Sequence, residues 1–208
     1  LFVAIKGFDF NGHEHIKEAI SNGAKAILAQ VDEMTKEMIK EIPEDITVIL
    51  TNDTRYALAI TACNFYKNPS KKFKLIGVTG TKGKTTTTYM IRDILVKHGI
   101  KVGLIGTVAS YVGDKKIANN TNTTPESLEL QQIFSKMLEE KCEVVVMEVS
   151  SQSLKLERVA GCDFDIGIFT NLAEDHISKK EHIDFEDYFN SKVKLFQMCK
   201  KGFINADD

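Results

Sequence analysis

Between residues 74 and 97 an apolar run breaks on two glycines and resumes as a helix, an order that few folds accommodate. Lys74-Leu-Ile-Gly-Val-Thr79 has the near-continuous apolar character of a strand covered on both faces. Gly80-Thr-Lys-Gly-Lys-Thr-Thr86 follows at once. A helical pattern from Lys84 to Lys97 then aligns Ile91, Ile94 and Leu95 before Gly99 stops it. Strand, glycine turn and helix in this order form the setting of a phosphate-binding loop. Glycines let backbone N–H groups turn toward phosphate oxygens without a Cβ in the way, and the helix start adds the positive end of its dipole. Gly80, Thr81, Lys82, Gly83 and Thr86 are thus candidate contacts to the phosphates of ATP. Lys84 is placed to bridge the outer phosphates, and the Thr85 hydroxyl to ligate Mg2+. The loop is shorter than G-x-x-x-x-G-K, because Val78 stands where the first glycine of that form belongs; the pattern is G-x-x-G-K-T-T.

The rest of the chain alternates apolar β-type runs with helical patterns, which predicts an α/β fold with a mainly parallel sheet flanked by helices. Strands are expected at Leu1–Ile5, Ala26–Ala29, Thr47–Leu50, Val102–Ile105, Val144–Val149 and Ile166–Thr170. Helices are expected near His13–Asn22, Thr54–Phe65, Glu126–Glu140 and Phe185–Lys200, with a small hairpin at Gly113-Asp114 and a last strand over Phe203–Asp208. Tyr66-Lys-Asn-Pro-Ser-Lys-Lys-Phe73 is polar and carries a proline, so the chain reads as two domains, 1–70 and 71–208. His13 and His15 read as solvated residues at a helix start.

A triphosphate needs a cation, and the cation needs oxygen ligands near the loop threonine. Glu143-Val-Val-Val-Met-Glu-Val-Ser150 is a buried-strand run with Glu148 near its C-terminal end, the rim where open α/β sheets gather their active groups. A carboxylate in such a strand is costly without a compensating cation. A second strand ends before Asn171-Leu-Ala-Glu-Asp-His176 and brings Asp175 and His176 to the same rim as candidate metal or nucleotide contacts.

These three segments give the sequence its resemblance to the Mur ligase family, and within it to the MurE type. The resemblance runs through Leu1-Phe-Val-Ala-Ile-Lys-Gly7, the G-T-x-G-K-T-T loop, Asn122-Thr-Thr-Pro-Glu126, Met147-Glu-Val-Ser-Ser151, Arg158, and Phe169-Thr-Asn-Leu172 with Asp175-His176. It implies an ATP-dependent ligase that adds a diamino acid to UDP-N-acetylmuramoyl-L-alanyl-D-glutamate through an acyl phosphate during peptidoglycan synthesis. The first domain would be a partial UDP-binding domain and the second the ATP-binding central domain. Thr85, Glu148 and His176 would serve Mg2+ and ATP, and Asn171 the nucleotide. Asn122, Thr123, Thr124, Ser150 and Arg158 would hold the UDP-muramoyl dipeptide. Lys192 matches a lysine that is carbamylated in the family, and a carbamate offers Mg2+ the oxygens that an ammonium lacks; Lys84, His176 and Lys192 are the catalytic candidates. Lys82 stands where the family usually has asparagine, and Gln152 replaces the usual histidine.

Residues are expected before Leu1, and the amino acid-binding domain after Asp208, so the 208 residues are expected to bind substrates without turning them over. A net charge of −2 gives no electrostatic reason to expect nucleic acid or an anionic membrane as partner. The opening apolar run is far shorter than the ~20 residues of a membrane span, and the expected compartment is the cytoplasm, with a monomer favoured. Cys63, Cys142, Cys162 and Cys199 are widely spaced and read as reduced thiols. Two alternatives stay open: another ligase of the same group, such as a folylpolyglutamate or cyanophycin synthetase, and a P-loop binding module without ligase chemistry.

Overall fold

The computed structural model describes residues 1–175, 177–178 and 181–208. The chain divides into two compact units, Leu1–Leu58 and Ala59–Asp208, with the boundary in sequence lying inside a helix, Thr54–Phe65.

In the first unit β1 (Phe2–Val3), β2 (Ala26–Gln30) and β3 (Thr47–Thr51) form a parallel sheet in that order. Ala4, Ile16, Ile27, Ala29 and Ile46 make its core. The expected first helix is a 3-10 turn, Gly12–His15, running into α1 (Ile16–Ser21). A short α2 (Lys36–Lys40), capped by Thr35, had no clear periodicity in the sequence. His13 corrects the expectation of a solvated side chain: it is 2% exposed. Its Nε2 accepts the Gln30 N–H at 2.9 Å, which leaves Nδ1–H to donate to Asn11 Oδ1 at 2.8 Å. Burial lowers the His13 pKa, consistent with a neutral ring. His15 keeps a partly exposed side chain.

Helix α3 (Thr54–Phe65) starts where Asp53 Oδ1 accepts the N–H groups of Arg55 and Tyr56. The second unit holds β4 (Lys74–Thr79), α4 (Lys84–Lys97), β5 (Val102–Ile105), β6 (Ala109–Val112) and β7 (Lys115–Asn119). It continues through α5 (Ser127–Glu139), β8 (Val144–Glu148), α6 (Ser151–Lys155), β9 (Phe164–Phe169), α7 (Phe185–Met198) and β10 (Cys199–Ile204). Among the described residues the sheet order is β10-β9-β4-β8-β5-β6-β7, parallel from β10 to β5 and antiparallel through the β6–β7 hairpin. The predicted α/β class and mainly parallel sheet are what the structure contains.

Strand alternation sorts the core into two layers. Leu75, Val145 and Met147 face α5 and α7 through Phe134, Met137 and Leu195, whereas Ile76, Val78, Val144 and Val146 face α4 through Ile91 and Leu95. The C-terminal helix stops two residues before the expected Lys200, because Cys199 already pairs with Phe164 as the start of β10. That strand accordingly spans Cys199–Ile204 and not the expected Phe203–Asp208. The cysteines are free thiols; Cys63, Cys142 and Cys162 are buried, and burial raises Cys142 to about 11. No helix among the described residues is long and apolar enough to cross a membrane.

Candidate active site

Strand β4 lies between β8 and β9, so the chain turns to opposite sides at its C-terminal end. Register puts Val78 beside Glu148 and Thr79 beside Phe169. Three loops therefore leave the sheet side by side at the switch point where α/β ligand sites form.

The loop after β4 requires its glycines. Gly80 has φ +143° and Gly83 φ +83°. A Cβ on Gly80 would collide with the Thr170 hydroxyl. The segment after β9 clamps this loop. Asn171 Oδ1 accepts the Lys82 N–H at 2.9 Å, its Nδ2 donates to the Lys82 carbonyl at 3.0 Å, and its own carbonyl accepts the Thr81 N–H at 2.9 Å. Thr170 Oγ1 donates to the Lys82 carbonyl at 2.7 Å. The Thr81 hydroxyl, 7% exposed, accepts from Ala173 N–H and from Tyr188 Oη, both at 3.0 Å. Thr81, Lys82 and Asn171 thus organise the loop through their backbone and hydrogen bonds.

Two amines converge beneath it. Lys84 Nζ donates to the carbonyls of Gly80 at 2.7 Å and Thr81 at 3.0 Å. Lys192 Nζ, on α7, donates to the same Gly80 carbonyl at 3.0 Å and lies 4.3 Å from the Tyr188 ring centroid. Burial lowers the Lys84 pKa, against the opposing charges of Glu148 and Asp175. Lys192 is 1% exposed, and burial followed by the Lys84 charge brings its pKa down to about 7.

Glu148, 1% exposed, is the buried carboxylate of this rim. Its Oε2 accepts the Thr85 hydroxyl at 2.9 Å, and its Oε1 accepts the Thr107 N–H at 3.0 Å. Thr107 Oγ1 in turn lies 3.2 Å from Thr123 Oγ1. Thr124 is fully buried; its hydroxyl donates to the Glu148 carbonyl and accepts the Ser150 N–H, both at 3.0 Å. Arg158 pairs with Glu126 at 2.8 Å and donates to the Thr124 carbonyl at 3.3 Å.

A cavity of about 270 Å³ joins these groups, lined by Lys84, Asn122, Thr123, Ser150, Arg158 and Lys192 of the expected residues. Thr85 and Glu148 touch it through Thr107, Thr124 lies behind it, and Gly83 starts α4 while Thr86 sits in its first turn. His176 lies outside the described residues. Sequence reasoning missed Thr107, Thr121, Gln152, Glu181 and the role of Ser151 as lining residues. Thr107 could have been found, since it follows β5 and so sits on the same C-terminal rim. Among the described residues no three His, Cys, Asp or Glu side chains cluster as a ready metal site. The oxygen set of Thr85 and Glu148 beside a glycine loop suits Mg2+ completed by phosphate oxygens, a fit that a cation needing only protein ligands would not find.

Fold and loop together are those of a P-loop α/β protein. Residues 78–208 match the Mur ligase middle domain, and residues 1–66 match the Mur ligase family catalytic domain. The chain belongs to the Mur ligase family. It is 51% identical over its whole length to the UDP-N-acetylmuramoyl-L-alanyl-D-glutamate--2,6-diaminopimelate ligase of Clostridium botulinum, covering 42% of that protein. It is 48% identical to the protein of the same name in Clostridium perfringens, covering 41% of it. A solved structure of a ligase with that name superposes over 100% of this chain and 40% of its own, with a TM-score of 0.81 at 24% identity. The chain thus spans about two fifths of the curated relatives it matches.

Proposed function

We propose that, in a protein of its relatives' length, this chain supplies the ATP- and UDP-muramoyl-binding part of a cytoplasmic ligase of peptidoglycan precursor synthesis. The ligase joins a diamino acid, 2,6-diaminopimelate by the relatives' names, to UDP-N-acetylmuramoyl-L-alanyl-D-glutamate. The observation that carries the reading is one cavity lined both by Lys84 and Lys192 and by Asn122, Thr123, Ser150 and Arg158. A phosphoryl donor and a carboxylate acceptor have to meet in such a space.

In this reading the N–H groups at the start of α4 and Lys84 bind and orient the ATP phosphates, after Lys84 Nζ leaves the two carbonyls it now holds. The N–H groups of Thr81 and Lys82 stay with Asn171. Asn122, Thr123, Ser150 and Arg158 align the D-glutamate side carboxylate. The carboxylate attacks the γ-phosphorus, giving an acyl phosphate and ADP. The amine then attacks the acyl carbon, an amide forms, phosphate leaves, and the amine gives up a proton. Thr85 and Glu148, with His176 and a carbamylated Lys192, would hold Mg2+, which when bound neutralises charge building on the transferred group. A buried Lys192 amine with a pKa near 7 supports the carbamate, because only a neutral amine adds CO2. Lys192 lines the cavity with Lys84, the two amines sharing the Gly80 carbonyl, and its carbamate would turn a repelled cation into an oxygen donor.

Release of phosphate from ATP by the full-length ligase tests this. The reading predicts turnover only when both UDP-N-acetylmuramoyl-L-alanyl-D-glutamate and the diamino acid are present. ATP hydrolysis indifferent to the muramoyl dipeptide would reject it.

A further inference from the structure

Two consecutive serines border the cavity, and their other hydrogen bonds give them opposite polarity. The Ser150 oxygen is used as an acceptor inside the protein: it takes the Ser153 N–H at 3.1 Å as the cap of α6, and Thr124 Oγ1 lies 3.4 Å away. Thr124 Oγ1 spends its one proton on the Glu148 carbonyl, and at 3.4 Å it is too distant to hold the Ser150 O–H strongly, so that proton can turn to a ligand. Ser151 is wired the other way. It is 4% exposed, lines the cavity, and its Oγ lies 2.9 Å from Nε2 of His182, a ring with no exposed surface.

The sense of that bond follows from the far side of the imidazole. His182 Nδ1 faces Asp187 Oδ2 at 3.4 Å. That oxygen is fixed in place by Lys155 Nζ at 2.5 Å and the Ile183 N–H at 3.0 Å. A lone pair on Nδ1 aimed at a carboxylate would be repelled, so Nδ1 carries the proton. Burial holds the His182 pKa below its ordinary value, which leaves the ring with one proton and Nε2 with a lone pair. Nε2 therefore accepts the Ser151 O–H, and the remaining Ser151 lone pairs are what the cavity meets.

We propose that Ser151 is a further substrate-contacting residue of this cavity, presenting a hydrogen-bond acceptor to an N–H group of the peptide part of the ligand, and that His182 and Asp187 are positioning residues that fix this polarity. Ser150 donates and Ser151 accepts, so the pair reads an amide-like arrangement of one acceptor and one donor. The inference rests on the function proposed above and adds which polar group of the ligand each serine reads.

Calorimetric titration of the full-length protein tests it, with UDP-N-acetylmuramoyl-L-alanyl-D-glutamate and, separately, a non-hydrolysable ATP analogue as probes. Ser151→Ala should weaken the muramoyl dipeptide roughly tenfold, the value of one hydrogen bond, and leave the ATP analogue within about twofold. His182→Leu should give the same loss, and the double variant no more than either, because both break one device. His182→Gln, whose amide oxygen can replace Nε2 as acceptor, should restore most of the affinity. Ser151→Cys keeps the volume with a much weaker acceptor and should follow Ser151→Ala if the alanine protein folds poorly. Unchanged dipeptide affinity in Ser151→Ala or Ser151→Cys, or losses at 151 and 182 that add, overturns the proposal alone. A parent protein that binds the ATP analogue but no muramoyl dipeptide overturns the functional reading and this inference together.

Discussion

Gly80 carries three demands at once. Its φ is +143°, its carbonyl accepts from both Lys84 and Lys192, and a Cβ would meet the Thr170 hydroxyl. Gly80→Ala is expected to cost about 1–3 kcal/mol, the range for a side chain forced into such backbone, read by urea denaturation; an unchanged midpoint would show that the loop relaxes freely. Lys84→Ala in the full-length ligase should lower turnover at least ~100-fold, by analogy with the loss of one preorganised donor, and near-normal ligation by that variant would remove Lys84 from the chemistry. Both residues were legible in the sequence because strand, glycines, lysine and helix are local neighbours. His13 was not, since a polar flank of Asn11, Glu14 and His15 looks like surface, and its burial comes from a bond to Gln30 on a strand that follows.

At the scale of elements, the phosphate loop is held from outside itself. The end of β9 contributes Thr170 and Asn171, and α7 contributes Tyr188. Asn171→Ala removes both side-chain bonds to the Lys82 backbone. It should weaken the ATP analogue about tenfold and reduce stability by about 1–3 kcal/mol, measured by calorimetry and thermal melting. Wild-type values in both would mean that the clamp does not order the loop. The long elements were legible from period and punctuation, as for β4, α4 and the β6–β7 hairpin. Five-residue helices are too short to show a 3.6-residue period, and α2 and α6 were therefore missed. The change from α7 directly into β10 is a matter of pairing with β9, which no local pattern announces.

Across the second unit as a whole, the buried amine of Lys192 links stability to pH. Its pKa is about 7 in the folded chain against 10.5 for an ordinary lysine. Between those values the unfolded chain binds more protons, so stability should rise with pH over that window, by at most about 1.4 kcal/mol per unit from this group. Below about 7 both states are protonated and its contribution to the slope vanishes. Lys84, also lowered by burial, acts with the same sign. Urea titrations in metal-free, bicarbonate-free buffer should show the rise in the parent and a flatter profile in Lys192→Met; equal slopes would contradict the buried amine. The site as a whole was legible as a list of residues and not as an arrangement. Its motifs come from four stretches of chain that only the sheet order brings together, and the serine–histidine contact spans 31 positions.

The central claim is that the glycine loop, Thr85 and Glu148 form one site for a triphosphate and its cation. It is tested most directly by titrating a non-hydrolysable ATP analogue into the parent and Glu148→Gln, each with and without Mg2+. The account predicts that Mg2+ tightens binding to the parent at least ~10-fold, that Glu148→Gln loses this increment, and that its metal-free affinity stays within about threefold. A glutamine variant that keeps the full Mg2+ increment would contradict it.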